Sequence, residues 1–201
     1  MDIESVKVTI ERITDWTLVH ECAMATIGRE AAKDPSFSWK ARLCRCEHSP
    51  LRAMQFKITV QNLPSFVSVH FVRHKFGIEH FVQSQRVDRS ATHTPRSELP
   101  QDAPVMHKMV VNASEMIFIS RRRLCSQASA ETRAVWRKIV EALASIEPEI
   151  AAACVPECIY RGFCPEFRSC GYTESEKYKR VLSAYRNPDI PQVNPMSVSD
   201  K

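Results

Sequence analysis

The sequence predicts an α+β domain, because segments with the two-residue period of strands come first and segments with helical periodicity follow. Hydrophobic residues make up 44% of the 201 positions and charged residues 25%, as is typical of a soluble globular domain with a sizeable core. Apolar residues recur in periodic blocks along the chain, which excludes disorder throughout. One globular domain, with room for an appended subdomain, is therefore expected.

Two segments alternate clearly between apolar and polar residues and are predicted to be strands. Residues 6–10 have the period of a half-buried strand. Residues 54–60 give the clearest strand pattern in the chain, and the Asn-Leu-Pro of 62–64 is expected to break it. A third strand is predicted around residues 80–87, and a polar loop with three prolines is expected over 88–104.

Helices are predicted from apolar stripes and from residue types that cap helix ends. A helix is expected over residues 15–32, before an irregular stretch over 33–50, and another over 63–77. Asn112 followed three positions later by Glu115 resembles a capping box and is expected to start a further helix. The remaining predictions are a helix over 129–146 that Pro148 stops, a short polar helix over 173–186, and a mobile tail.

Charge and hydropathy restrict the possible partners. The 28 basic and 23 acidic residues give a net charge of +5, which permits an anionic ligand without demanding nucleic acid. No uninterrupted apolar run approaches the roughly 20 residues that cross a bilayer, so a membrane partner is not expected. The N-terminus lacks the basic flank and apolar core of a signal peptide, and a cytoplasmic location is predicted.

The eight cysteines are expected to remain thiols or to bind metal, given the size of the chain and the absence of a signal peptide. Four of them form a late cluster whose gaps are wider than the paired C-x-x-C of common zinc sites. Packing of thiols without metal is the favoured interpretation, and a structural zinc or iron–sulfur site is the alternative. The weak metal candidates are Cys154, Cys158, Cys164 and Cys170.

A basic triplet, Arg73-His74-Lys75, is expected to close the helix predicted over 63–77. It either complements the negative pole of that helix or binds an anionic cofactor or substrate, and both interpretations stay open. His70 and His74 are four residues apart, a spacing that can bind metal. No Glu-rich motif accompanies them, so metal is not favoured here.

A second polar group, Ser84 and Arg86, shares one face of the predicted strand and suits a phosphate approached from one side. Arg96, in a proline-bounded loop, would add a second planar donor. Residues 121–123 are three arginines within a predicted helix, where successive side chains are about 100° apart. At most one or two of these arginines can therefore face one ligand.

Six motifs in a fixed order resemble the flavin-dependent thymidylate synthases, the ThyX family, over about residues 5–172. A further late pattern, from Cys158 to Gly171, resembles the C-terminal part of a subset of the family. The six motifs are Glu47-His48-Ser49-Pro50, Arg73-His74-Lys75, Ser84-Gln85-Arg86, Arg96 to Leu99-Pro100, Asn112 twelve residues later, and Arg122-Arg123-Leu124-Cys125.

The resemblance implies a small, mostly antiparallel sheet packed with helices, in a homotetramer whose active sites are shared between subunits. It divides the chain into a catalytic domain over residues 1–172 and a C-terminal helix and tail over 173–201. The implied activity transfers a one-carbon unit to C5 of dUMP. FAD is the implied cofactor, and NADPH and 5,10-methylenetetrahydrofolate are the implied co-substrates.

The resemblance also implies roles for individual residues. Uracil C5 is a poor nucleophile until negative charge builds up on the ring, so the site must stabilise that charge. Arg123 is implied to point at the pyrimidine, and it is the expected catalytic residue. The implied nucleotide contacts are Ser84, Gln85, Arg86, Arg96, Arg123 and His70, and the implied flavin contacts are Ser49, Arg73, His74, Lys75, Asn112 and Gln127.

The chain departs from the family pattern mainly among the flavin contacts. Lys75 stands where the family has an arginine, so an ammonium replaces a guanidinium that can donate two parallel hydrogen bonds. Gln127 stands where the family has a histidine. Two alternatives therefore stay open: a hydroxymethylase that adds water instead of hydride, and a non-catalytic nucleotide-binding homologue. A metal-stapled nucleic-acid binder, built on the late cysteines and the arginine triplet, ranks last.

Overall fold

The computed structural model describes residues 3–31, 35–89 and 93–187. Four strands form one antiparallel sheet: β1 (Lys7–Arg12), β2 (Gln55–Pro64), β3 (Ile78–Val82) and β4 (Pro104–Asn112). Their order in the sheet is β1-β2-β4-β3, so β2 and β4 are central and β1 and β3 lie at the edges.

The described residues also form eight α-helices, which together with the sheet confirm the predicted α+β class. Asp15, Asn112 and Ser129 cap helices at the predicted starts, each accepting a hydrogen bond from a backbone N–H of the first turn. The helices are α1 (Trp16–Ala25), α2 (Phe37–Cys46), α3 (Ser65–Phe71), α4 (Ala113–Arg123), α5 (Ala130–Ala144), α6 (Pro148–Ala153), α7 (Glu157–Arg161) and α8 (Glu176–Arg186).

Strand β2 does not break at residues 62–64, contrary to the prediction. Its pairing with β4 shifts register between Val60 and Leu63 and then resumes to Pro64. Asn62 lies in this irregularity with φ of +56°, a conformation that asparagine tolerates better than most residues. A bulge therefore absorbs the residues that were expected to end the strand.

The sequence prediction missed β4 altogether and made β3 too long. In β4 the buried residues are Val105, His107, Met109 and Val111, and the histidine interrupts an otherwise apolar alternation. Strand β3 ends at Val82 because the next residue, Gln83, pairs with Met106 of β4 partly through its side chain and not through its backbone alone. Its N–H donates to the Met106 carbonyl, and its side-chain oxygen accepts from the Met106 N–H.

Three helical predictions also need correction. Helix α1 ends at Ala25, seven residues before the predicted end at residue 32. Helix α2 occupies part of the predicted irregular stretch, and the Ser36 hydroxyl caps it by accepting from the Trp39 N–H. Helix α3 ends at Phe71 and not near Gly77, so Arg73-His74-Lys75 lies in the turn after the helix. The His74 N–H closes a short turn on the Phe71 carbonyl, which takes the chain out of the helical path.

The C-terminal third packs as further short helices. Pro148 follows α5 as predicted but also begins α6, where its missing N–H costs nothing. Helix α8 packs on α7 through a small cluster separate from the main core under the sheet, with Ile159, Tyr178 and Val181 among its buried members. No helix in the described part of the chain is long and apolar enough to span a membrane. The tail predicted to be mobile falls largely outside the described residues.

Candidate functional site

The C-terminal end of α4 lies against the turn that follows α3, and two predicted site residues touch there. Arg123, the last residue of α4, donates from Nε to His74 Nε2 at 3.0 Å. Its Nη2 donates to the His70 backbone carbonyl at 2.7 Å. A residue predicted to contact the nucleotide and a residue predicted to contact the flavin are thus in direct contact.

The contact with Arg123 defines the protonation of His74. A guanidinium can only donate, so His74 Nε2 must carry a lone pair and the ring proton must sit on Nδ1. Burial, followed by the charge of Arg123, lowers the pKa of His74 to about 4. The imidazole is therefore neutral near pH 7, with its Nδ1 facing Glu115 Oε1 at 3.7 Å.

Glu115 is the acidic member of this cluster, and sequence reasoning identified it only as part of a helix cap. Burial raises the pKa of its carboxyl to about 7, so the group exchanges a proton near neutral pH. Glu115 and Arg123 are eight residues apart on α4, but this spacing alone does not indicate that they belong to one site. Their connection requires His74, which contacts both of them.

A histidine chain anchors the backbone beside the site. His80 Nε2 donates to the His74 carbonyl at 2.9 Å, and its Nδ1 lies 3.0 Å from His107 Nε2. The Ser68 hydroxyl then donates to His107 Nδ1 at 3.1 Å. Burial, with a smaller contribution from His80, lowers the pKa of His107 to about 4. Sequence reasoning assigned no role to His80 or His107.

His70 contributes to the site through its backbone and is held by α5 through its ring. Its Nδ1 lies 2.6 Å from the Thr132 hydroxyl, and burial, Arg123 and Arg73 lower its pKa. The rings of His70 and His74 are thus engaged by different partners. Within the described residues no group of three or more His, Cys, Asp or Glu side chains is arranged to hold a metal ion.

Asn112 connects the start of α4 to the turn before β3. Its Oδ1 accepts from the Glu115 N–H at 2.9 Å, and its own N–H donates to the Gly77 carbonyl at 2.9 Å. Gly77 has φ of +70°, and a Cβ at that position would run into the Asn112 amide nitrogen. The close approach and the left-handed backbone together require glycine there.

Replacing Gly77 with alanine is expected to destabilise the protein by about 1–3 kcal/mol, because the backbone is strained and the Asn112 cap must shift. Chemical unfolding monitored by circular dichroism measures the change. Gly171→Ala is the matched control, since Gly171 has φ of +78° with no atom near its missing Cβ. A loss in Gly77→Ala no greater than in the control would contradict the role of the Asn112 contact.

The predicted phosphate contacts lie elsewhere on the chain. Arg86 is exposed just beyond β3 and pairs with Asp88 through Nε and Nη2, at 2.9 and 2.8 Å. Arg96 is exposed in a short 3-10 turn, and Ser84 and Gln85 precede Arg86 in the segment after β3. Across the described residues, no hydrogen bond or ion pair connects Arg86 or Arg96 to Arg123.

The remaining predicted flavin contacts are divided between two places. Arg73 and Lys75 are exposed in the same turn as His74, and Ser49 is exposed at the start of a 3-10 helix (Ser49–Ala53). The Gln127 amide instead donates to the Arg168 carbonyl at 3.1 Å. Gln127 therefore faces the C-terminal segment.

Gln127 lines a pocket that also contains most of the late cysteines. Cys158, Cys164 and Cys170 line it together with Cys125, and burial raises the pKa of Cys158 to about 11. Cys154, grouped with these residues in the sequence prediction, is instead fully buried in the main core. The described cysteines are free thiols.

The arginine triplet divides as helical geometry requires. Arg121 is buried, ion-paired with Glu47 and placed 3.4 Å above the Tyr160 ring, so it fastens α4 to its neighbours. Arg122 is exposed, 4.0 Å from Glu157. Arg123 is the member of the triplet that enters the site.

Comparison with known proteins identifies the architecture. The sequence matches no protein-family model and, at a significant level, no curated protein sequence. Among solved structures, a UMP/dUMP methylase, PolB from Streptomyces cacaoi bound with 5-Br dUMP, superposes with a TM-score of 0.56 at 15% identity, covering 79% of this chain and 96% of that one. Thymidylate synthase ThyX from Helicobacter pylori with FAD and dUMP superposes with a TM-score of 0.61 at 12% identity, covering 75% and 99% of the two chains. The chain therefore has the ThyX-like α+β fold.

Proposed function

We propose that the protein is a flavin- and folate-dependent thymidylate synthase of the ThyX family that transfers a one-carbon unit to C5 of dUMP. The observation that carries this proposal is the hydrogen bond between Arg123 and His74. It joins the residue implied to contact the pyrimidine with a residue implied to contact the flavin, and transfer between two ligands requires that they bind close to each other. The fold, shared with enzymes solved with dUMP or its analogue, supports the same function.

The charges around His74 favour an anionic ligand. Arg123, Arg73 and Arg122 all act on this imidazole, and the acid that faces it, Glu115, is only partly ionised near neutral pH. Burial and the charge of Arg73 lower the pKa of Arg123, so these two cations repel each other in the absence of a ligand. A bound anion would relieve this repulsion.

Arg123 is suited to stabilise negative charge that develops on the pyrimidine. Nε and Nη2 are held by His74 and by the His70 carbonyl, and Nη1 makes no hydrogen bond to the described residues. A guanidinium fixed in this way can present Nη1 to the ring without reorganising during the reaction. This pre-orientation is the contribution that we assign to the protein at the reacting base.

The exposed residues of the turn after α3 fit a dinucleotide cofactor. The Arg73 guanidinium and the Lys75 ammonium can neutralise a pyrophosphate. When bound, reduced FAD would supply the hydride, with NADPH as its reductant and methylenetetrahydrofolate as the carbon donor. The side chains of this turn would hold and orient the cofactor.

A homotetramer is part of the proposal, because among the described residues no hydrogen bond or ion pair connects the phosphate-contact candidates to Arg123. Large apolar side chains are exposed near the turn after α3 and on edge strand β3, with Phe76 at 86%, Phe81 at 61% and Val69 at 58%. Burying them against a second copy would be favourable. We infer that Ser84, Arg86 and Arg96 of one subunit complete the site of another, in a cytoplasmic enzyme.

Incubation of purified protein with dUMP, methylenetetrahydrofolate, NADPH and FAD tests the proposal by mass analysis of the nucleotide. A product heavier by one CH2 unit is expected, because a methyl group replaces the hydrogen at C5, and the visible spectrum of the protein should show bound flavin. UMP belongs in a parallel reaction, since the structurally similar methylase is named for both nucleotides. A hydroxymethyl product would identify the alternative reaction, and dUMP binding by protein that takes up no FAD would indicate a non-catalytic homologue.

A further inference from the structure

We propose that Glu115 is a positioning residue that orients the Arg123 guanidinium through the imidazole of His74. The inference rests on the proposed function only in assigning Arg123 to the nucleotide. The arrangement of the three side chains is independent of that assignment.

The three side chains form a bridge along one helix. Glu115 lies in the first turn of α4 and Arg123 at its last residue, and the His74 ring, from the turn after α3, lies between them. Nδ1 faces Glu115 Oε1 at 3.7 Å, and Nε2 accepts from Arg123 Nε at 3.0 Å. The carboxyl and the guanidinium thus act on opposite nitrogens of one ring.

This bridge depends on the imidazole tautomer. With the proton on Nε2, two donors would face each other and the Arg123 contact would be lost. With the proton on Nδ1, Nε2 can accept from the guanidinium. A carboxylate on the Nδ1 side favours the second tautomer, because the N–H dipole points at a negative oxygen. Glu115 therefore stabilises the form of His74 that holds Arg123.

Arg123 favours the Nδ1-protonated ring from the Nε2 side, and Glu115 supports the same tautomer from the Nδ1 side. Besides Glu115, the charged or titratable groups that act on His74 are Arg73, Arg122, Arg123 and His80, and each disfavours a positive charge on the ring. The backbone of His74 is fixed independently, since its carbonyl accepts from His80 and its N–H donates to Phe71. Loss of the Glu115 side chain should then change the tautomer and the rotation of the ring and leave the turn in place.

If Glu115 acted only through its negative charge, its removal would change the affinity for dUMP in the opposite direction. If Glu115 only contributed negative charge near an anionic nucleotide, removing it would strengthen binding. If it positions Arg123, truncation should weaken binding even though a repulsive charge disappears. A neutral isostere that keeps an oxygen facing Nδ1–H should restore most of the affinity. The sign of the effect therefore separates the two roles.

Titration calorimetry with dUMP at pH 8, where Glu115 is mostly ionised, provides the first measurement. Glu115→Ala is expected to raise Kd about tenfold, as for the loss of one orienting hydrogen bond to a charged group, and Glu115→Gln by less than about threefold. Glu79→Gln, at an exposed position on β3, is the control and should match the wild type. An unchanged or lower Kd in Glu115→Ala would overturn the proposal.

Nitrogen NMR of the His74 ring without nucleotide provides the second measurement, with the signal assigned by its loss in His74→Gln. The wild type should show a protonated Nδ1 and an unprotonated Nε2, whereas Glu115→Ala should shift the population toward the other tautomer. An identical tautomer in both proteins would overturn the positioning role. If the wild type does not bind dUMP and these shifts still occur, the nucleotide assignment fails and the positioning role stands.

Discussion

Replacing Arg123 with alanine is expected to lower kcat/KM for dUMP by about 10²–10³-fold. The substitution removes a donor that is already held in place for charge developing on the pyrimidine, and losses of this size follow removal of one preorganised donor. Arg123→Lys should lose nearly as much activity. A single ammonium cannot contact His74 Nε2 and the His70 carbonyl while also presenting a planar donor to the base.

Steady-state kinetics with dUMP, beside thermal unfolding of each variant, separates this effect from loss of stability. Arg122→Lys is the matched control, because Arg122 is adjacent in sequence but exposed. It should retain activity within about threefold of the wild type. Activity of Arg123→Ala within the same range would contradict the catalytic assignment.

The sequence was most informative where one physical factor dominates. Asn112 and Ser129 start helices as predicted because a side-chain acceptor beside an apolar stripe is a local signal. Strand β4 was missed because His107 sits on its buried face. That histidine is stabilised by Ser68 and His80, which are 39 and 27 residues away, and a local pattern does not include such distant partners.

In the candidate site, too, the features set by neighbouring residues were predicted, and the contacts between residues distant in sequence were not. Helical geometry alone predicted that at most two of the three arginines could face one ligand, and Arg123 is the one that contacts His74. Glu115 was identified as a capping residue because its spacing from Asn112 is local. Its contact with His74 depends on α3 ending at Phe71, and the sequence prediction extended that helix. The proposed completion of the site by Ser84, Arg86 and Arg96 of a second subunit likewise involves contacts that a local pattern does not include.

Acidification below about pH 6.5 is expected to destabilise the protein because two buried histidines resist protonation. The pKa of both His74 and His107 falls from 6.5 to about 4 on folding. Between these values the unfolded chain binds more protons, so the free energy of unfolding decreases as pH falls. Each shift corresponds to at most roughly 3 kcal/mol. Glu115 acts in the opposite direction, because its raised pKa of about 7 lets the folded state bind a proton first between pH 7 and 4.5.

Urea unfolding at a series of pH values measures this balance, and two variants separate its parts. Glu115→Gln removes the opposing contribution, so its stability should fall more steeply than that of the wild type between pH 7 and 5. His74→Gln removes one of the two histidines and should give a shallower fall, whereas His48→Gln, at an exposed position, should follow the wild type. Parallel pH curves for Glu115→Gln and the wild type would show that Glu115 is not the group that titrates near pH 7.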